Sequence, residues 1–213
     1  MLDRQTVRGL LSPFNLTLSD AALDTLLVYL DLLLRWNRKI NLTSIRTPEE
    51  CVTRHFGESF WLSHAVPLEG RLLDIGSGAG FPGLAIKLLA PELDVTLLEP
   101  VGKKRAFLKE VARSCGISRV RVLGSRLEEF LRQQGSGPFD LVTARAVGGM
   151  GSLIPAAAGL MRPGGRLCLW VGNQQVGEIL EMGSNFEWME PMPIPLSHER
   201  LILVGQWRSE ISL

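Results

Sequence analysis

An aspartate followed by closely spaced glycines is the feature of this sequence with the clearest capacity for chemistry, and it lies in the run Arg71-Leu-Leu-Asp-Ile-Gly-Ser-Gly-Ala-Gly-Phe-Pro-Gly83. Leu72, Leu73 and Ile75 predict a short buried strand, and Pro82 predicts the start of a helix. Glycines at alternate positions between them lack a Cβ atom, so the backbone can take positive φ and a ligand can lie against it. The pattern predicts a ligand site at the carboxyl end of a first parallel strand.

One interpretation of these glycines is a dinucleotide site. Gly78, Gly80 and Gly83 have the spacing of the dinucleotide fingerprint, in which a pyrophosphate binds backbone amides at a helix start. Glu99 then follows near the offset expected for the acid that binds a ribose. Pro82 weakens this interpretation, because it removes one amide donor from the helix start.

The other interpretation places S-adenosylmethionine at the same glycines. Asp74 precedes Gly76 by two residues, and a carboxylate in that position suits a cofactor that carries positive charge. S-adenosylmethionine has a sulfonium and an ammonium group but no phosphate. A plain turn between strand and helix would need only one glycine. We therefore favour S-adenosylmethionine as the cofactor, with contacts from Asp74, Gly76 and Gly78.

Polar residues also follow the later strands of the predicted sheet, at the edge where parallel sheets bind their ligands. Glu99 ends the second strand and is placed to accept both hydroxyls of an adenosine ribose, unless it is an ordinary surface acid. Leu127 and Glu128 follow the third strand, where backbone amides and the Glu128 carboxylate would meet the adenine edge. A helix cap formed by Ser125 fits the same stretch. Arg145 ends the fourth strand, where a substrate would face the methyl group, and its alternative is a structural ion pair.

Basic residues are concentrated around this region, although the net charge of the chain is only +1. Residues 101–126 contain eight basic residues and one acidic residue, and a second basic group lies among residues 35–54. Isolated charge runs are usually solvated helix faces. Two basic groups on either side of a cofactor loop instead favour a surface that binds phosphates.

The hydrophobic pattern predicts a helical N-terminus followed by alternating strands and helices. Residues Thr47 to Glu50 have the sequence of a capping box, so a helix is expected from about Pro48 through His55 to Phe60 or beyond. Residues 1–68 are expected to form an N-terminal helical extension, and residues 69–213 the cofactor-binding domain; no linker separates them, so we expect one packed unit. From Arg71 onward the pattern is that of an α/β fold, a doubly wound sheet with helices on both faces. The predicted strands cover 71–75, 94–99, 119–123, 139–144 and 165–171, the predicted helices 82–90, 102–114, 125–134, 149–161 and 173–182, and segments 186–192 and 200–207 are expected to pair antiparallel at the sheet edge.

Composition and cysteine usage narrow the remaining possibilities. The chain has 213 residues, of which 46% are hydrophobic, with no stretch long enough to span a membrane and no secretion signal pattern, so we expect a cytoplasmic protein. Its three cysteines share no metal-ligand spacing, and we expect no metal site. His55 and His64 lie in helical sequence and are expected to be packed histidines rather than general bases.

Six motifs together resemble the RsmG family, also called glucose-inhibited division protein B, over nearly the full chain. They are Asn41-Leu-Thr-Ser44, Arg54-His55, Asp74 to Gly83, Lys103 to Leu108, Ser125 to Phe130 and Ala144-Arg-Ala146. The resemblance implies a class I (Rossmann-like) S-adenosylmethionine-dependent methyltransferase that modifies guanine N7 in the 530 loop of 16S ribosomal RNA. Carried over by position, it implies cofactor contacts from Gly76, Phe81, Leu127, Glu128 and Arg145.

Two positions depart from the family pattern. Val171-Gly172 stands where the family usually has Lys-Gly, and Glu58-Ser59 stands where it usually has Asp-Ser. Because this chain lacks that lysine, we do not expect an RNA contact at this position.

The reaction that the resemblance implies makes few demands on side chains. Guanine N7 has an in-plane lone pair and no hydrogen, so its attack on a sulfonium methyl group needs no general base. We therefore expect Arg145 to act by positioning. Arg54, Lys103, Lys104 and Arg126 are expected to bind RNA phosphates.

The expected partner is 16S ribosomal RNA or the small ribosomal subunit, without a membrane, and the expected oligomeric state is a monomer. Two alternatives stay open: a non-enzymatic RNA-binding or ribosome-assembly protein, and a nucleotide-dependent oxidoreductase.

Overall fold

The core of the fold is one mixed sheet. The computed structural model describes residues 2–134, 139–145 and 148–208, so Ala146 of the Ala144-Arg-Ala146 motif lies outside the described residues. The strands are β1 (Arg71–Ile75), β2 (Asp94–Leu98), β3 (Val120–Leu123), β4 (Phe139–Arg145), β5 (Met161–Gly172), β6 (Phe186–Trp188), β7 (Met192–Pro193) and β8 (Arg200–Trp207).

The strand order is β3-β2-β1-β4-β5-β8-β6, with β7 paired to β8. The first five strands run parallel to one another. The order reverses between β1 and β4, the kind of switch point at which such sheets bind ligands at the carboxyl ends of the strands. The predicted doubly wound sheet is thus confirmed, and its switch point coincides with the glycine run.

The strand β8 lies inside the sheet. The sequence predicts that it pairs antiparallel with the segment before it, and β6 and β8 do pair in that way. The other side of β8 pairs antiparallel with β5, from Gly172 opposite Arg200 to Arg166 opposite Gln206. Residues 201–204 are buried in succession, as expected for a strand that is covered on both faces.

Helices cover both faces of the sheet. They are α1 (Arg4–Leu11), α2 (Asp20–Asn37), α3 (Pro48–Glu50), α4 (Glu58–Phe60), α5 (Gly83–Ile86), α6 (Gly102–Ser114), α7 (Leu127–Gln134), α8 (Met150–Ala158) and α9 (Val176–Met182). The sequence pattern missed α1, which buries only Val7 and Leu11 and begins at an Asp3 side chain that accepts a hydrogen bond from the Thr6 amide. The predicted helix 82–90 is shorter than expected: α5 ends at Ile86, and the amides of Leu88 and Leu89 then bond three residues back, to the carbonyls of Ala85 and Ile86. The Lys87 ammonium group donates to the carbonyls of Pro91 and Leu93 in the following turn.

The helix predicted from Pro48 to Phe60 contains a wider turn in its middle. The segment Cys51–Gly57 between α3 and α4 is π-helical. In a regular α-helix the Glu58 amide would donate to the Arg54 carbonyl, four residues back. Here it donates instead to the carbonyls of Thr53 and His55. Short π-helical turns inside α-helices are frequent at functional sites.

The buried side chains form one cluster on each face of the sheet. The first cluster joins the N-terminal helices and α6 to one face, with Leu33, Phe56 and Phe107 among its members. The second joins α7, α8 and α9 to the other face, with Phe130 and Leu153 among its members. The N-terminal helices thus share a core with the sheet, and the domain boundary at residue 68 stays a prediction. No helix in the described ranges is both long and apolar enough to cross a membrane.

Candidate cofactor and RNA site

The carboxyl edge of the sheet carries the glycine run, and its backbone has the predicted conformation. Gly76, Gly78 and Gly80 have φ values of 69°, 55° and 90°. These values lie in the region that side chains with a Cβ atom rarely adopt. The spacing of the glycines is therefore required by the path of the chain.

Asp74 lies directly behind the glycine run and is fully buried. Its Oδ1 atom accepts a hydrogen bond of 2.7 Å from the Thr143 hydroxyl of β4, while Oδ2 is buried with no hydrogen-bond partner in the described structure. Burial raises the pKa of Asp74 to about 6, against the opposing effect of the Thr143 hydrogen bond. A nearby cation would stabilise the ionised form.

The same aspartate disfavours a pyrophosphate at this helix start. A Cβ atom on Gly83 would lie 2.5 Å from Asp74 Cβ, so the carboxylate occupies the space against the first turn of α5. An anion placed there would face a buried acid.

Glu99 connects two loops of the site. Its Oε2 atom accepts a hydrogen bond of 2.8 Å from the Gly78 amide, and Oε1 accepts one of 2.8 Å from the Val101 amide. Its residue is only 3% exposed, so the alternative of an ordinary surface acid is wrong. Each oxygen has a second lone pair with which it can accept from a ribose hydroxyl.

A cavity of about 240 Å³ opens beside these residues. Gly76, Leu127 and Glu128 line it, with Leu98 and Leu153 as apolar walls. Apolar walls with one acid suit a flat purine that carries an amino group. Three of the cofactor-binding residues predicted from the sequence thus meet at one cavity, whereas Asp74, Gly78, Phe81, Glu99 and Arg145 are not among the residues that line it.

The ring of Phe81 faces the N-terminal helices. It stacks between Tyr29, at 5.4 Å between ring centroids, and His55, at 4.6 Å. His55 in turn contacts the Thr43 hydroxyl through Nε2, and burial together with the charges of Arg145 and Arg54 lowers its pKa to about 3. The packed, neutral histidine matches the prediction, and the Phe81 ring supports the glycine run by packing.

Arg145 is held by the N-terminal helices. Its Nη2 atom donates to the Arg54 carbonyl at 2.8 Å and to Glu58 Oε2 at 3.0 Å. Arg200 donates to the other oxygen, Glu58 Oε1, at 2.8 Å. The ion pair that the sequence left as an alternative is therefore present. Burial lowers the pKa of Arg145, and Glu58 opposes that shift.

The predicted RNA-binding residues lie at the same carboxyl edge. Lys103 and Lys104 stand in the first turn of α6 after β2, Arg126 follows β3, and Arg54 lies beside Arg145. Lys103 and Arg126 are exposed, while Lys104 is half-buried.

Other members of the basic window 101–126 have different positions. Arg119 precedes β3 at the opposite edge and pairs with Asp94 and Glu92. Arg113 pairs with Glu110 on α6. The window is thus not one continuous basic surface.

Sequence reasoning missed four contacts of the site. Glu58 and Arg200 form the network around Arg145, Thr143 bonds Asp74, and Tyr29 bonds the glycine run. The role of Thr143 could have been suspected from the sequence, because Thr143 lies two residues before Arg145 and therefore on the same face of the strand. The role of Tyr29 could also have been suspected, because Tyr29 is the only tyrosine in the sequence and interrupts a leucine-rich helix. In the ranges that the structure describes, no group of three or more His, Cys, Asp or Glu side chains could hold a metal ion.

The glycine run after β1, the acid after β2 and this strand order define a class I S-adenosylmethionine-dependent methyltransferase. Solved structures share the fold: the ribosomal protein L11 methylase of Lactobacillus delbrueckii subsp. bulgaricus superposes with a TM-score of 0.61 at 17% identity, over 73% of this chain and 79% of that one. The chain belongs to the GidB family, described as rRNA small subunit methyltransferase G, whose family model matches residues 22–197.

Relatives at the sequence level cover most of the chain. A protein of Halorhodospira halophila named Ribosomal RNA small subunit methyltransferase G is 36% identical over 98% of this chain and 95% of its own length. One of Alkalilimnicola ehrlichii with the same name is 44% identical over 74% of this chain and 70% of its own length. The resemblance stated from six motifs and the preference for S-adenosylmethionine over a dinucleotide are both confirmed.

Proposed function

We propose that the protein transfers a methyl group from S-adenosylmethionine to guanine N7 in the 530 loop of 16S ribosomal RNA. The observation that carries the proposal is membership of the family described as rRNA small subunit methyltransferase G. The choice of 16S ribosomal RNA, of guanine and of its N7 atom rests on the resemblance of the six motifs to the RsmG family. The carboxyl edge of the sheet is compatible with that reaction.

The residues around the cavity are suited to the adenosine part of the cofactor. Leu127 and the neighbouring apolar walls would enclose the base, and Glu128 would accept from its amino group. Glu99 would accept from the ribose hydroxyls, and Asp74, with its unpartnered Oδ2 atom, would face the positively charged end. The bound cofactor supplies an electrophilic methyl group on a sulfonium.

Arg145 would orient the reacting groups. N7 attack releases no proton from the guanine, so the site needs no base, and the neighbouring His55 is buried and bonded to Thr43. A guanidinium with a buried Nη1 atom that has no partner among the described residues retains hydrogen-bonding capacity for base, phosphate or cofactor. Orientation of bound reactants is a sufficient source of rate enhancement for this chemistry.

The RNA would lie across the carboxyl edge. Lys103, Lys104 and Arg126 would contact its phosphates, and Arg54 would lie close to the target nucleotide. The substrate would be 16S ribosomal RNA or the small ribosomal subunit. We expect the protein to act in the cytoplasm as a monomer.

Transfer of labelled methyl groups from S-adenosylmethionine tests the proposal. Small-subunit ribosomal RNA is offered naked and as particles, and the product is mapped by N7-specific chain cleavage. The matched control is an RNA fragment with 7-deazaguanosine, which lacks N7 and must take no label. Label at a single guanine of the 530 loop, absent from the 7-deaza RNA, supports the proposal, and label at another atom contradicts it.

One alternative, a non-enzymatic RNA-binding or ribosome-assembly protein, is separated by the same experiment. It would bind the RNA without binding S-adenosylmethionine and without transferring label. Cofactor binding measured by calorimetry therefore accompanies the transfer assay.

A further inference from the structure

Glu58 is a buried carboxylate between two arginines of the sheet. We propose that Glu58 is a positioning residue for methyl transfer, which holds the Arg145 guanidinium in the orientation that the reaction needs. The inference rests on the proposed function, in which Arg145 orients the reacting groups.

The contacts of Glu58 come from three elements. Oε2 accepts from Arg145 Nη2 of β4 at 3.0 Å, and Oε1 accepts from Arg200 of β8, from Nη2 at 2.8 Å and from Nε at 3.2 Å. The Glu58 carbonyl accepts a further bond of 2.8 Å from the Trp170 indole of β5. Backbone and side chain are thus both fixed, and the carboxylate has one oxygen for each arginine.

The burial of this carboxylate argues for a role beyond stability. Glu58 is 1% exposed, and the side chains of Arg145 and Arg200 are 15% and 34% exposed. Taking charges out of water costs about as much as the pairing returns, so apolar residues of similar size often serve stability equally well. The burial of Glu58 beside the end of β4 is better explained by its effect on the orientation of Arg145.

The π-helical turn supplies the second fixed point for Arg145. Because the Glu58 amide bonds to Thr53 and His55, the Arg54 carbonyl is free to accept from Arg145 Nη2. The same nitrogen therefore lies between a main-chain oxygen and the Glu58 carboxylate. This leaves Nη1, buried and with no partner in the described part of the chain, as the nitrogen with hydrogen-bonding capacity to spare.

Charge repulsion makes the carboxylate necessary. Arg54 and Arg200 both lower the pKa of Arg145, which means that their positive charges oppose its own, whereas Glu58 raises it. Without the negative charge of Glu58, Arg145 would be repelled by two neighbours and would keep only the hydrogen bond to the Arg54 carbonyl and the weaker attraction of Asp74. A displacement of about 1 Å in a positioning group can cost about 100-fold in rate.

The test is the single-turnover rate of methyl transfer to small-subunit RNA by Glu58→Gln, which keeps the shape but removes the charge. We expect the rate to fall about 10- to 100-fold. Glu58→Asp, which keeps the charge but shortens the side chain by one methylene group, should lose less of the rate than Glu58→Gln. The control is Trp61→Phe, which deletes another tie between the N-terminal helices and the sheet, the indole bond of 2.9 Å to the Pro193 carbonyl, and should keep the wild-type rate.

A double-mutant cycle separates positioning from general loosening of the fold. If Glu58 acts through Arg145, Glu58→Gln lowers the rate far less in an Arg145→Ala background than in the wild type. Equal losses in both backgrounds would overturn the proposal, as would a wild-type rate in folded Glu58→Gln. If Glu58→Gln does not fold, Glu58→Gln/Arg200→Gln restores the charge balance and must show the same loss. Failure of the wild-type protein to transfer label would instead reject the proposed function.

Discussion

The Tyr29 hydroxyl donates a hydrogen bond of 2.5 Å to the Ala79 carbonyl, so helix α2 holds the glycine run directly. The Tyr29 ring also stacks on Phe81 at an interplanar angle of 10° and meets the edge of Phe56. The conformation of the cofactor loop is therefore maintained by residues from both sides of the predicted boundary at residue 68. Loss of the N-terminal helices would release the loop from its support.

Tyr29→Phe tests this support. It keeps both ring contacts and leaves the Ala79 carbonyl buried without its partner, which should cost about 1–3 kcal/mol in the free energy of unfolding. Because the carbonyl belongs to the glycine run, affinity for S-adenosylmethionine should fall as well. Urea unfolding and calorimetric cofactor titration measure the two effects. Trp188→Phe on β6, which loses an indole bond of 2.9 Å to the Gly183 carbonyl at the end of α9, should lower stability without changing that affinity.

Gly80 and Gly78 should respond differently to alanine. A Cβ atom on Gly80 would lie 2.1 Å from the Tyr29 hydroxyl, whereas one on Gly78 meets nothing closer than the Gly76 carbonyl at 3.8 Å. Both substitutions incur about 1–2 kcal/mol for positive φ. Gly80→Ala should lose a further 1–3 kcal/mol, roughly, through overpacking.

Cofactor affinity completes the comparison of these two glycines. Gly78→Ala should remain folded and lose affinity for S-adenosylmethionine, because its methyl group would extend into open space beside the proposed cofactor site. Chemical denaturation together with cofactor titration distinguishes the cases. Equal stability of the two variants would contradict the packing of Tyr29 against Gly80.

The binding of S-adenosylmethionine should depend on the charge of Asp74. In the free protein the pKa of Asp74 is raised to about 6, and a bound cation lowers it again. Affinity should therefore be constant above pH 6 and fall as the pH drops below 6, by up to about tenfold per pH unit, because binding must then release a proton. Asp74→Asn should bind more weakly at pH 7 and show no such dependence between pH 5 and 7.

Stability should respond to the same group with the opposite sign. The folded chain holds the Asp74 proton more tightly than the unfolded chain between about pH 4 and 6, so this group's contribution to folding increases as the pH falls through that window. Unfolding free energies of the wild type and Asp74→Asn at pH 5 and 7 measure this contribution.

The prediction about cofactor affinity has its own contradicting outcome. If the affinity of the wild-type protein for S-adenosylmethionine does not change between pH 7 and 5, Asp74 is not part of the cation site.

The position of the basic residues predicts a local RNA surface. Lys103→Ala and Arg126→Ala should each weaken RNA binding and reduce the slope of log affinity against log salt by about 1. Arg119→Ala removes the same charge, but its side chain pairs with Asp94 and Glu92 at the opposite edge. It should leave RNA affinity almost unchanged. Filter binding across salt concentrations measures all three, and equal effects would show that only net charge matters.

Local patterns in the sequence predicted what depends on neighbours along the chain. The glycine run, its positive φ values, the strands and the helix cap at Thr47 follow from spacing that is visible within ten or so residues. The alternation of strands and helices predicted a doubly wound sheet, whereas the order of its strands comes from the structure. These features locate the ligand edge without any knowledge of side-chain contacts.

Contacts between distant segments could not be predicted in this way. Glu58 and Arg200 are 142 residues apart, and no periodicity connects them. The π-helical turn at Cys51–Gly57 was also hidden, since a single wider turn disturbs the apolar pattern too little to detect. Phe81 shows the same limit: its place in the motif was visible, but the direction of its ring depends on Tyr29 and His55, which come from other elements.

The position of β8 inside the sheet has a consequence for synthesis of the chain. Translation delivers β5 and β6 before β8, so the edge of β5 stays open until residues 200–207 have emerged. An open, apolar strand edge can pair with another chain and aggregate. Arg200 arrives with the same strand, and the carboxylate of Glu58 receives its second arginine only then. The arginine network of the site is therefore complete only after β8 has been synthesised and the sheet has closed around it.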